Sequence, residues 1–137
     1  MDDRDAICAI DPRVVDTQHR RPSIERAIAT GECYVATNAG AIVGYAVFDR
    51  SFFEQPFVSL LHVEEAKRRR GIGAALMRYI ESICTEEKLF TSTNESNTPM
   101  QRLCDKLGFV RSGRIENLDE GDPEIVYIKR LRGKERR

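Results

Sequence analysis

The chain has 137 residues, 41% of them apolar and 32% charged, with 22 basic and 22 acidic side chains and a formal net charge of zero. That length suits one domain, residues 1–137, with a real core. The charge balance supplies no global field for nucleic acid or a membrane surface. No apolar run reaches the roughly 20 residues a membrane span needs, and no signal-peptide pattern opens the sequence. The four cysteines, Cys8, Cys33, Cys84 and Cys104, are scattered without a CxxC pair, and His19 and His62 stand apart. No metal site is expected, and reduced thiols in a cytoplasmic protein are the simplest reading.

In chain order, residues 3–10 read as a helix with Ala6, Ile7 and Ile10 on one side. Residues 11–21 are polar and irregular, punctuated by Pro12 and Pro22. Helical spacing returns over 23–30, and Gly31 is placed to end that helix. Residues 33–37 and 41–48 read as two strands joined by a turn at Asn38-Ala39-Gly40. Residues 49–56 read as a loop containing Phe52, Phe53 and Pro56, and 57–63 as the next strand. A helix over 72–85 presents Ile72, Leu76, Ile80, Ile83 and Cys84 to a core. Residues 89–93 form a short strand. The next helix opens with Thr98 as N-cap, Pro99 at the first helical position and Gln101 completing a capping box, with Leu103 and Leu107 inward and Gly108 at its end. Strands over 109–115 and 125–131 flank an acidic loop holding Glu116, Asp119, Glu120, Asp122 and Glu124. The basic tail from Lys129 onward reads as a solvated end. The order specifies an α/β fold of the α+β kind, a mixed and mostly antiparallel central sheet flanked by helices.

The chemistry concentrates where the 57–63 strand runs into Lys67-Arg68-Arg69-Arg70-Gly71-Ile72-Gly73-Ala74. An apolar strand, a basic glycine-bearing turn and a helix start make a device for a pyrophosphate. Glycine admits close backbone approach, the helix N-terminus offers unpaired N–H groups and partial positive charge, and arginines add forked donors. Taken locally, a solvated cap explains a GxG turn too.

Arg68-x-x-Gly71-x-Gly73, followed by Asn97 and a helix ending in Leu107-Gly108-Phe109, resembles the GNAT family of N-acetyltransferases over about residues 31–131. The resemblance implies the acyl-CoA N-acyltransferase fold and acetyl-CoA as cofactor. It implies that the backbone of Leu61, His62 and Val63 pairs with the pantetheine arm, that the N–H groups from Arg69 to Ala74 cradle the pyrophosphate, and that Asn97 contacts the cofactor. It further implies direct transfer of acetyl to a primary amine, with the Leu61 N–H polarising the carbonyl, a base taking the amine proton and an acid serving the leaving thiolate.

The chain departs from that pattern at two catalytic positions. Cys104 stands where the family's proton-donating Tyr is usual, and reads either as the acid or as a small core residue. Ser59 stands in the central strand where relatives often carry Glu, leaving Glu54 as the nearest carboxylate and His62 as the side chain with the best intrinsic pKa. Tyr127 in the last strand, and Tyr45 in the early hairpin, compete for the donor role. Phe52 and Phe53 are expected to line the acceptor pocket, with Asp119, Glu120 and Asp122 drawing in a cationic amine from a small molecule or a protein. Family members usually begin with a strand, absent here because the first strand is missing or the start truncated. That leaves an edge at Cys33–Thr37 for a homodimer to cover. Two other classes compete: an acetyl-CoA-binding sensor without turnover, and a nucleic-acid-binding domain using Lys67 to Arg70, which the acidic loop opposes.

Overall fold

The structure is a computed structural model that describes residues 3–11 and 20–131. Pro12, His19 and the basic tail beyond Leu131 lie outside the described residues. Helix α1 spans Asp3–Ile10 and α2 Arg20–Ala29; strands β1 Cys33–Asn38, β2 Ala41–Phe52 and β3 Gln55–Val63 follow. A 3-10 turn at Glu65–Lys67 leads to α3 (Ile72–Ile83), then β4 (Lys88–Asn94), α4 (Thr98–Lys106), β5 (Val110–Ile115) and β6 (Glu124–Arg130). The six strands are ordered β1-β2-β3-β4-β6-β5, with β3 and β4 parallel and β1·β2, β4·β6 and β5·β6 antiparallel. The mixed, mostly antiparallel sheet with flanking helices is therefore as the sequence reads, and β1 ends the order as the edge strand.

The chain divides into two compact units. The first takes Met1–Phe48 and Leu60–Ile80, the second Asp49–Ser59 and Glu81–Arg137. In the first, Ile7, Ile24 and Tyr45 are fully buried, and Cys8, Ile10, Ile28, Val35 and Leu60 pack against them. Gly31 ends α2 in the left-handed region, where Glu32 N donates to Ala27 O at 2.8 Å. In the second, β4 runs antiparallel to β6 from Lys88↔Arg130 to Asn94↔Glu124, burying Leu89, Thr91, Ile125 and Tyr127.

Five local expectations are corrected. Helix α2 starts at Arg20 rather than Ser23, because Pro22 falls in the first turn, where its missing N–H has no intrahelical partner to lose. Residues 49–56 are no loop: β2 continues to Phe52 and β3 starts at Gln55 across a tight Phe53-Glu54 turn. Both turn residues are left-handed (φ +51° and +62°), a conformation that neither Phe nor Glu advertises. Helix α3 ends at Ile83, two residues early, and buries Met77 on its core face. Thr98 is the first helical residue of α4, and Asn97 is its N-cap, accepting from Met100 N at 3.2 Å. Gln101 closes no capping box; its amide donates to the carbonyls of Asn94 and Glu95 instead.

Candidate functional site

The end of β3 and the start of α3 form one continuous local structure. Lys67 N donates to Glu64 O at 2.8 Å, and the Arg68 side chain turns back so that its Nε donates to Val63 O at 2.9 Å. Arg68 thus fastens the turn to the strand end, leaving Arg69 and Arg70 as the outward charges, both exposed. Arg69 and Gly71 are left-handed, at φ +68° and +81°. Alternating backbone hands of this kind point successive N–H groups into an anion-binding concavity. The first helical bond runs from Ala75 N to Gly71 O at 2.9 Å, so the amides of Ile72, Gly73 and Ala74 precede the intrahelical ladder. A Cβ at Gly71 would meet nothing within 4 Å. An open, basic, N–H-lined turn fits a pyrophosphate.

Gly44 in β2 sets how closely α3 approaches. A Cβ there would lie 3.0 Å from the His62 carbonyl and 3.3 Å from Ile72 Cγ2. The glycine lets the opening turn of α3 sit against the strands that carry Leu61, His62 and Val63. Leu61 and Val63 are half-buried, and His62 is 8% exposed. His62 Nε2 lies 2.9 Å from Ile10 O, so it carries the hydrogen and donates; Nδ1 faces Asp11 Oδ1 at 3.9 Å. Nε2 donates to Ile10 O and Nδ1 is turned towards the buried Asp11, so both ring nitrogens face the interior and His62 is not placed to meet an incoming amine.

The remaining proton-handling candidates sit in contrasting surroundings. Cys104 is fully buried in α4, and burial, with a smaller push from Asp105, raises its thiol to about 12. Tyr127 is fully buried in β6, and its hydroxyl has no hydrogen-bond partner among the described residues. Glu54 occupies the exposed Phe53-Glu54 turn before β3. The sequence reading missed another carboxylate in the same unit: Asp49 Oδ2 accepts from Ser59 Oγ at 2.9 Å, and its Oδ1 accepts from Ser51 N and Oγ at 2.9 and 2.7 Å. Ser59, in the place where relatives often carry Glu, thus holds a carboxylate lent by the neighbouring strand.

Asn97 spends its side-chain oxygen capping α4. In the acidic segment, Asp119 Oδ2 accepts from Asn94 Nδ2 at 2.8 Å, and Asp122 accepts from Ser96 N and Oγ at 3.0 and 2.6 Å. These carboxylates brace the segment between β5 and β6 against the β4–α4 connection. Glu120 is exposed. Phe52 stacks on Phe57 at 5.1 Å and lies 5.3 Å from Phe90, while Phe53 meets Phe52 edge-on at 5.0 Å and is 82% exposed. Among the described residues no group of three or more His, Cys, Asp or Glu side chains is placed to hold a metal ion, and no helix is long and apolar enough to cross a membrane.

A strand, basic glycine turn and helix in this order, on a mixed sheet, define an acyltransferase that takes a coenzyme A thioester. The family model for the GNAT acetyltransferase family matches residues 6–109, and the chain belongs to that family. A GNAT acetyltransferase structure from Bacillus cereus ATCC 10987 is 42% identical, with 95% of this chain and 92% of that chain covered and a TM-score of 0.86. Ard1 from Thermoplasma volcanium shares the fold at 23% identity, covering 94% and 91% of the two chains with a TM-score of 0.78. A Bacillus anthracis str. Ames acetyltransferase in complex with acetyl coenzyme A is 19% identical over 72% of this chain and 61% of that chain, with a TM-score of 0.65. No curated protein matches the chain. The protein is an acetyl-CoA-dependent N-acetyltransferase.

Proposed function

We propose that the two units act together as one cytoplasmic N-acetyltransferase domain that moves acetyl to the primary amine of a cationic acceptor by direct attack. The observation that carries the reading is the turn at Arg68–Gly71, left-handed at two positions and open above Gly71. Its amides and the Arg69 and Arg70 side chains hold the pyrophosphate, and the Leu61–Val63 backbone hydrogen-bonds the arm that follows. Acetyl-CoA, when bound, supplies the acetyl group as a thioester. Leu61 N–H draws on the carbonyl oxygen. The amine nitrogen forms the new bond to the acetyl carbon as the carbon–sulfur bond breaks.

The amine must shed a proton, and Asp49, held beside Ser59, takes it through water. The Tyr127 hydroxyl, whose proton has no acceptor among the described residues, serves the departing sulfur. The buried Cys104 thiol is poorly matched to that task, and Glu54, the other carboxylate considered as base, sits in an exposed turn. On the acceptor side, Phe52 and Phe53 supply an aromatic wall, and Asp119, Glu120 and Asp122 supply the field that favours a cation. Asn97 positions the start of α4 beside the cofactor. The edge strand β1 offers a surface for a homodimer, which light scattering at high concentration tests.

The deciding experiment measures free thiol release from acetyl-CoA with spermidine, aminoglycosides, amino acids and lysine peptides, with a thermal shift in parallel. Turnover on a cationic class, lost at high salt through KM, supports the reading. Turnover equally fast on neutral amines refutes the acidic wall. Stabilisation by acetyl-CoA without turnover on any amine refutes the transfer reading in favour of a sensor.

A further inference from the structure

Unit one contains a buried polar cluster that the transfer chemistry does not use. Asp11 follows the last turn of α1 and is fully buried, as is Tyr45 in β2; His62 in β3 is 8% exposed. The Tyr45 hydroxyl donates to Asp11 Oδ2 in a short hydrogen bond. The other carboxylate oxygen, Oδ1, faces His62 Nδ1 at 3.9 Å, and His62 Nε2 donates to Ile10 O at 2.9 Å. The Tyr45 and His62 rings lie 5.9 Å apart. Burial, then the hydrogen bond and charge of Asp11, hold the Tyr45 phenol well above its ordinary value, against a smaller opposite pull from Arg20. It therefore stays protonated and keeps donating. Three chain segments far apart in sequence converge here, Tyr45 bonded to the Asp11 side chain and His62 to the carbonyl of the residue before it.

Such a cluster is a poor way to gain stability, because removing charge from water offsets most of what pairing returns. It is a good way to fix register, since each donor has one acceptor at one place. The register it fixes is that of β3 at residue 62. The peptide groups on either side of His62 cannot rotate without pulling the ring off Ile10 O. On the same stretch, the His62 carbonyl is confined from above by β2, where even a methyl group on Gly44 would approach it to 3.0 Å.

We propose that Asp11, Tyr45 and His62 form a positioning latch that holds the backbone of Leu61 and Val63 ready for the acyl donor, and so sets donor affinity without touching the acceptor. The inference rests on the reading that Leu61–Val63 hydrogen-bonds acetyl-CoA. Its residues are positioning residues, since none meets the reacting atoms. The latch predicts a split in Tyr45→Phe, whose residue lies outside the donor-binding stretch: donor binding suffers, while the KM for the amine and kcat at saturating donor do not.

The test uses Tyr45→Phe, which removes only the hydroxyl, with His62→Leu and His62→Gln as a second pair. Leucine deletes both ring nitrogens, and glutamine restores a donor for Ile10 O. Acetyl-CoA affinity is measured by calorimetry, amide exchange is followed at Leu61–Val63, and both Michaelis constants are determined. The expected result is a folded Tyr45→Phe protein that binds acetyl-CoA about tenfold more weakly, exchanges faster at Leu61–Val63 and keeps its amine KM. His62→Gln recovers most of what His62→Leu loses. Wild-type donor affinity in folded Tyr45→Phe and His62→Leu proteins overturns the latch, as does an equal rise in both Michaelis constants. Gly71→Val separates the two levels of argument. If it abolishes binding while the latch variants bind normally, the latch alone is wrong. If donor binding leaves exchange at Leu61–Val63 unchanged in the wild type, the donor reading fails and the latch with it.

Discussion

Replacing Cys104 with alanine separates catalysis from packing. The thiol is fully buried and raised to about 12 from an ordinary 9.0, chiefly by burial. To deliver its proton to a departing thiolate of ordinary basicity, Cys104 would climb roughly 3 pKa units, about 4 kcal/mol, or near a thousandfold in rate. The expected outcome for Cys104→Ala is therefore a kcat within twofold of wild type in the thiol-release assay at saturating acetyl-CoA. Removing a sulfur from a closed site lowers stability by about 1–2 kcal/mol, a few degrees in melting temperature. The pH dependence is a second signature. Because the folded value is raised, the thiol's contribution is complete below pH 9 and is lost as pH rises toward 12. By about pH 10 the wild type has lost roughly 1 kcal/mol from this group, and the gap to the variant narrows accordingly. Cys33, also raised by burial to about 11, is common to both proteins and cancels in the comparison. A tenfold or greater fall in kcat with the fold intact, or a gap that stays constant from about pH 9 to pH 10.5, would refute this reasoning.

Three other perturbations probe the remaining roles. Gly71→Val forces a β-branched residue to φ +81° and fills the cradle; calorimetry is expected to show acetyl-CoA affinity reduced at least tenfold, with a stability loss of about 1–3 kcal/mol. Tyr127→Phe removes a buried hydroxyl without a partner, so its melting temperature is expected to hold or rise while kcat falls about 10- to 100-fold. Unchanged kcat returns Tyr127 to the core. Asp49→Asn keeps an acceptor for Ser59 and Ser51 but cannot take up a proton; kcat is expected to drop about 10²-fold at neutral pH with the fold intact. A kcat within twofold of wild type assigns Asp49 to structure.

The strand, basic turn and helix of the donor site were legible because each is encoded locally. Apolar residues at 57–63, a glycine where φ must be positive, and 3.6-residue spacing from Ile72 lie within a few residues of one another. The cap of α4 was misread by one residue, since Asn97 and Thr98 are both good caps and only backbone geometry chooses between them. The Phe53-Glu54 turn was not legible because left-handed residues other than Gly, Asn or Asp carry no sequence signal. The polar clusters escaped for a different reason. Asp11 lies 34 residues from Tyr45, and Ile10 lies 52 from His62; no periodicity spans such distances. A lone aspartate after a helix reads as a solvated end until the fold closes over it.

Ser59 shows why a missing family residue is weak evidence for lost chemistry. Read along the strand, serine in place of glutamate removes a base. Read across the hairpin, Ser59 Oγ donates to Asp49 Oδ2, ten positions back in the chain, and a carboxylate is restored from the adjoining strand. The substitution costs no charge; it changes which strand supplies it. Three donors fix the Asp49 carboxylate, so its orientation is better defined than that of a free glutamate side chain. The chemical consequence is specific. A carboxylate base works best on an amine that gives up its proton readily, as a cationic acceptor does when a second positive charge lies close to the attacking nitrogen. Polycations with closely spaced amines should therefore be turned over faster at neutral pH than lone lysine-type amines of equal affinity. The comparison of kcat for a short-spaced diamine and a long-spaced one decides it: equal values at matched saturation would remove Asp49 from the argument.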